Sequence, residues 1–160
     1  MSAEERLREL GIELTGSTPS AAGTTAPIAN YIPAVRAGNL LFLAGHLGAG
    51  PNGERLTGKL GAEFSVEEGY AAAREAAIRL LARVREEAGS LDRVRRVVKV
   101  VGFVNSTPDF IDQPRVVNGA SDLLVDVFGE AGRHARSAIG VASLPLGAPV
   151  EIEMIVELEP

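Results

Sequence analysis

The sequence predicts a single α+β domain in the order β-β-α-β-α-β-β, with two helices on one face of a mixed sheet. Three observations lead there. A long 3.6-residue apolar period follows Ser65, and a second follows Gln113. The other apolar runs are short, rich in β-branched residues and bounded by turn residues. At 160 residues, 46% hydrophobic and 23% charged, the chain is long enough to bury a sizeable core in one domain.

Ser2 and Glu5 form the letters of a capping box, which opens a short helix to about Leu10 that Gly11 ends. Residues Leu14 to Ala26, rich in Thr, Ser, Gly and Ala, carry no period and read as a loop or arm. Residues 1–26 are therefore expected to be an N-terminal helix and loop arm, and residues 27–160 the single domain. From Ile32 to Gly45, two apolar runs flank Ala37-Gly38-Asn39, the chemistry of a hairpin turn. Gly48 to Gly61 is loop-like, with Pro51-Asn52-Gly53 as its sharpest turn.

Ser65 and Glu68 repeat the capping box and start the longest helix. Tyr70, Ala73, Ala77, Leu80, Leu81 and Val84 share its inner face, and Gly89 stops it. Val94 to Ser106 is apolar on both parities, as a strand buried on both faces would be, which points to a central position. Asn118-Gly119 has the letters of a hairpin turn. Val116, Val117, Ala120, Leu123, Leu124, Val127 and Phe128 around it keep a helical period, so Gln113 to Phe128 is expected to be a helix ending at Gly129. Two strands follow, about Ala135 to Leu144 and Val150 to Leu158. Two helices cover one face of a sheet; the doubly apolar strand needs cover on the other. A second subunit is the simplest cover.

Composition narrows the function. With no cysteine there is no disulfide framework, thiolate nucleophile or cysteine-ligated metal. MSAEERLREL lacks the apolar core of a secretory signal, and no run approaches membrane-spanning length, so a cytoplasmic protein without membrane contact is expected. A net charge of -5 and few aromatic residues disfavour nucleic acid; the basic group Arg93, Arg95, Arg96 and Lys99 reads first as a solvated strand end. Gly48-Ala49-Gly50-Pro51-Asn52-Gly53 matches the letters of a dinucleotide fingerprint, yet no helix opens after it to receive a pyrophosphate. His46 and His134 lack the spacing to carboxylates that a metal site needs, so no metal is expected.

The C-terminal stretch HARSAIGVASLPLGAPVEIE carries the chemistry. By a period of two, Val150, Ile152, Met154, Val156 and Leu158 share one strand face, leaving Glu151, Glu153 and Glu157 on the other. Arg136 then has two readings. It either holds one of these glutamates at a strand end, or it stands at a subunit seam, where a charge must be paired or used for a ligand.

The stretch ARSAIGVASLPLGAPVEIEMI, with ANYIPAVRAGNLLFLAG and VVKVVGFVN upstream, resembles the Rid family of reactive-intermediate deaminases, also described as YjgF-type or endoribonuclease L-PSP proteins. The likeness spans about Pro27 to Glu157. It implies a chorismate-mutase-like fold assembled as a homotrimer with clefts between subunits. It also implies hydrolysis of imine or enamine acids, such as 2-aminoacrylate, to keto acid and ammonia without a cofactor. In that reading Arg136 grips the substrate carboxylate and Glu151 positions or activates water. Tyr31 lines the pocket, Gly45 admits close backbone approach and Asn118 contributes from a helix. Alternatives are a noncatalytic trimer binding a small acid, and a ribonuclease, which the acidic, aromatic-poor composition fits badly. Ala138, His46, Ile32 and Pro33 stand where many members carry other residues, which predicts an altered pocket.

Overall fold

The computed structural model describes residues 1–15 and 30–160. Its helices are α1 (Ala3–Glu9), α2 (Val66–Ala88) and α3 (Gln113–Phe128); its strands are β1 (Ala34–Ala37), β2 (Leu40–Leu47), β3 (Val94–Asn105), β4 (Ala135–Val141) and β5 (Val150–Leu158). The sheet runs β1-β2-β5-β3-β4, antiparallel except for the parallel β3–β4 pair. This is the expected α+β order, with α2 lying over β2 and β5, and α3 over β3 and β4. Among the described residues, no helix is long and apolar enough to cross a membrane.

Local chemistry explains the element ends. Ser2 Oγ accepts the Glu5 N–H at 3.2 Å while Glu5 accepts the Ser2 N–H at 2.7 Å. The same reciprocal pair, at 3.2 and 2.8 Å, joins Ser65 and Glu68 at the head of α2. Gly89 closes α2 in the left-handed region at φ 86°. Gly119 shows why an Asn-Gly pair can sit inside α3: a Cβ there would lie 2.0 Å from the Tyr70 carbonyl oxygen, so the glycine lets α2 and α3 touch backbone to backbone.

Most of the expected arm, residues 16–26, lies outside the described residues. Its first residue, Leu14, belongs to the core at 8% exposure, and its carbonyl accepts a hydrogen bond from Arg85. Helix α1 also docks: Leu7 is buried, and Glu4 accepts the Leu91 N–H at 3.0 Å.

The middle strand is β5, not β3 as its double-sided hydropathy suggests. Position in a sheet is set by backbone pairing, whereas hydropathy reports what covers each face; β5 is hydrogen-bonded on both edges yet carries carboxylates on one face. Its burial alternates without exception, with Val150, Ile152, Met154, Val156 and Leu158 under the helices. The opposite face presents Val35, Phe42, Val101, Phe103, Ile139 and Ile155 together with Glu151 and Glu153. Val35 is 50%, Phe42 41% and Ile139 46% exposed, so no described element covers that face.

Candidate functional site

Arg136 stands on the edge strand β4 in register with Val100, which is buried beneath the helices. Its half-buried side chain runs to α3. Nη1 donates to Asn118 Oδ1 at 2.8 Å and to Ser121 Oγ at 3.1 Å, and Nη2 donates to the Pro114 carbonyl at 3.4 Å. All three partners are neutral. Among the described residues no carboxylate pairs with Arg136, which removes the strand-end reading in which it holds a β5 glutamate; Glu157 instead faces Arg95 at 3.5 Å.

A guanidinium has five N–H donors. Three are used within the described residues, which leaves Nε–H and one Nη2–H. Those two nitrogens form one edge of the plane, the edge that meets a carboxylate through two parallel bonds.

Glu151 lies on the other sheet face, in register with Leu47 of β2 and Phe103 of β3. Burial pushes its carboxyl above the usual range, and the neighbouring charge of Glu153 pushes it the same way. Gly45 sits against it: a Cβ at that position would be 2.7 Å from Glu151 Oε1. The expected close approach at Gly45 is thus an approach to the carboxylate. Tyr31 precedes β1 and is 52% exposed.

The five expected site residues therefore fall into two clusters, Arg136 with Asn118 and Glu151 with Gly45, and a separate Tyr31. The clusters do not meet within one chain. Strand β3 lies between β4 and β5, and Val100 and Phe103, the respective partners of Arg136 and Glu151, are three positions apart along it. At ~4.8 Å per strand and ~3.3 Å per residue, the two Cα positions are about 14 Å apart. Their side chains leave opposite faces.

The family described as "YjgF/chorismate mutase-like, putative endoribonuclease" matches residues 4–158. The chain belongs to that family. The match begins inside α1, so it is longer than the stretch from Pro27 that carries the sequence resemblance. The chain is similar to "Protein TCP17" of Trypanosoma cruzi, 50% identical over 153 residues that cover 95% of this chain and 91% of that protein. It is 35% identical over 144 residues to a "2-iminobutanoate/2-iminopropanoate deaminase" of Dermatophagoides farinae, covering 89% and 94% of the two chains. A crystal structure of a "putative endoribonuclease" from Shewanella oneidensis superposes with a TM-score of 0.87 at 33% identity, over 99% of this chain and all of that one.

Within this family fold, two of the positions expected to alter the pocket face the helices. Ala138, in register with Gly102, packs against the core, and His46 turns its ring beneath α2, within the fields of Arg79 and Arg83. The basic group at the start of β3 is dispersed: Arg93, just before the strand, donates to the Ala88 carbonyl, Arg95 faces Glu157, and Lys99 shares the open face with Ile155.

Sequence reasoning missed Ser121 and the role of His134. Ser121 Oγ lies 2.9 Å from His134 Nε2, and His134 Nδ1 lies 2.7 Å from the Gly132 carbonyl. The signal was present in the helix period. Pro114, Asn118 and Ser121 are spaced by four and three residues, so naming Asn118 as a site residue names that whole strip of α3.

Proposed function

We propose that the protein hydrolyses imine or enamine intermediates of small carboxylic acids to the keto acid and ammonia, in clefts between the copies of a homotrimer. One observation carries this reading: a half-buried guanidinium held by three neutral oxygens, with Nε–H and one Nη2–H unused among the described residues. A partly buried guanidinium held only by neutral groups keeps its full charge and its remaining donors for an anion. The 35% identity to a 2-iminobutanoate/2-iminopropanoate deaminase supports the choice of imine chemistry.

In the reaction, Arg136 fixes the substrate carboxylate and so the orientation of the C=N bond. Glu151 of a neighbouring copy takes a proton from water as the water oxygen bonds to the imine carbon. Glu151 returns that proton to the nitrogen, the proton of the new hydroxyl follows it, and the C–N bond breaks, so that ammonia leaves as the carbonyl forms. A carboxylate whose proton affinity is raised by burial suits the base role, since it holds the proton more readily than an exposed one. Glu151 must come from another copy because the two clusters lie on opposite faces of one sheet. The open apolar face supports association.

The test couples a threonine dehydratase or an amino-acid oxidase, which generate imines in situ, to keto acid release with and without the protein. Faster release supports the reading. Binding of small keto acids without acceleration would make the protein the noncatalytic trimer instead. Sedimentation of a stable folded monomer at micromolar concentration would remove the shared cleft.

A further inference from the structure

The hydrogen bonds behind Arg136 have a direction. The Gly132 carbonyl can only accept, so His134 Nδ1 carries a proton and donates to it at 2.7 Å. In the neutral ring Nε2 is then bare and accepts, and the group 2.9 Å away is the Ser121 hydroxyl. Ser121 therefore donates its only proton to His134, and turns oxygen lone pairs toward Arg136 Nη1 at 3.1 Å. The chain runs one way, from Nη1–H to Ser121, from Ser121 O–H to His134, and from His134 N–H to Gly132.

Burial keeps His134 below the usual imidazole range. The Gly132 carbonyl works against that shift and the nearby Arg136 charge adds to it, so the ring is neutral near pH 7 and the direction is kept. Other charged groups around the ring are engaged elsewhere. Arg133 pairs with Glu130 at 3.0 Å, Asp122 accepts from the Tyr70 hydroxyl at 2.8 Å, and Lys99 lies in register with Ala135 on the sheet's other face.

We propose that Ser121 and His134 are positioning residues for Arg136. Together they form a one-way relay that holds both Nη1 hydrogens against α3 and leaves the Nε/Nη2 edge presented to a bound carboxylate. Asn118 alone could satisfy one Nη1 hydrogen; the second needs an oxygen that donates its own proton away from the cation. A carboxylate in that place would do the same job but would neutralise the guanidinium and compete with the ligand. A serine backed by a neutral histidine orients the cation without discharging it. This inference rests on the reading of Arg136 as a carboxylate anchor.

Two measurements test it, one without ligand. In the free protein, imidazole nitrogen shifts should show His134 as the Nδ1–H tautomer at pH 7. The Arg136 Nη1 hydrogens should be resolved in the wild type and averaged by rotation in Ser121→Ala and His134→Phe. With pyruvate as probe, both substitutions should weaken binding roughly three- to tenfold, the worth of one neutral hydrogen bond, at unchanged oligomeric state. His134→Gln, which returns an acceptor for Ser121, should recover most of the loss. In an Arg136→Lys background, Ser121→Ala and His134→Phe should have no further effect. An Nε2–H tautomer, or wild-type pyruvate binding with resolved Nη1 hydrogens in both variants, overturns the relay and leaves the anchor standing. Unchanged pyruvate binding in Arg136→Ala overturns the anchor itself.

Discussion

Removal of the Arg136 guanidinium separates a ligand group from a structural one. Arg136→Ala deletes three bonds to the protein and the two free donors on the Nε/Nη2 edge. Charge-assisted bonds are worth ~1.5–3 kcal/mol each, so losing two from the transition state costs about 3–6 kcal/mol. At about 1.4 kcal/mol per decade, kcat/KM should fall by roughly a hundred- to ten-thousandfold. The structural loss is smaller. Asn118 and Ser121 are half-buried and can be rehydrated, so the fold should lose about 1–2 kcal/mol and melt a few degrees lower. Arg136→Lys should recover little, because an ammonium lacks the planar edge. The assay is keto acid release from imines generated in situ, read beside circular dichroism and sedimentation. A folded Arg136→Ala assembly that hydrolyses imines at nearly the wild-type rate would refute the argument.

Gly45→Ala should push the Glu151 carboxylate aside, since the new methyl would lie 2.7 Å from Oε1; we expect about a tenfold loss in kcat with the melting temperature little changed, because the carboxylate end is flexible. Glu151→Gln should abolish turnover while leaving pyruvate binding intact, measured by calorimetry. The same variant should melt higher than wild type at neutral pH. A carboxyl raised in the folded state binds protons more tightly there than in the unfolded chain, so wild-type stability falls as pH rises from the ordinary glutamate value through the folded one. Below that window the two proteins should melt alike. Gly119→Ala should cost about 1–3 kcal/mol or more in denaturant titration, since its methyl would meet the Tyr70 carbonyl at 2.0 Å and force α2 from α3.

The elements that sequence reasoning located are those with strong local causes. Both capping boxes, the α2 and α3 periods, the Gly38-Asn39 hairpin turn and the alternation of β5 stand where patterning put them. Strand order did not follow from pattern, because β3 and β5 are both paired on two edges and differ only in what their open faces carry. β4 ends at Val141 rather than Leu144, just before the Leu144-Pro145-Leu146-Gly147 turn in which Leu146 takes φ 59°. For the site, the residue types were legible and the neighbours were not: the sequence spacing of His134 was read against metal ligation, while its partner in space is Ser121, one helix earlier.

Strand parity gives the deeper reason why Arg136 and Glu151 looked like one site and form two. Arg136, Ala138 and Gly140 share register with Val100, Gly102 and Val104, the residues of β3 that face the helices. Glu151 and Glu153 share register with Phe103 and Val101, which face away. A slip of one residue in β5 would put both charges on the same face, but it would also turn Val150, Ile152 and Met154 out of the core. At ~1.5–3 kcal/mol for each fully buried aliphatic side chain, that register is held by several times the energy of any one ion pair. The fold thus fixes the proposed anchor, Arg136, and the proposed base, Glu151, on opposite sides of a monomer, and chemistry that needs both requires one copy's β4 edge and another's open face to bound the same cleft. Mixed assemblies give that requirement a sharp readout. Arg136→Ala and Glu151→Gln chains, each inactive alone, should regain activity when dissociated and reassembled together, because some clefts then pair an intact arginine with an intact glutamate. No recovery from verified mixed assemblies would refute a cleft shared between Arg136 of one copy and Glu151 of another.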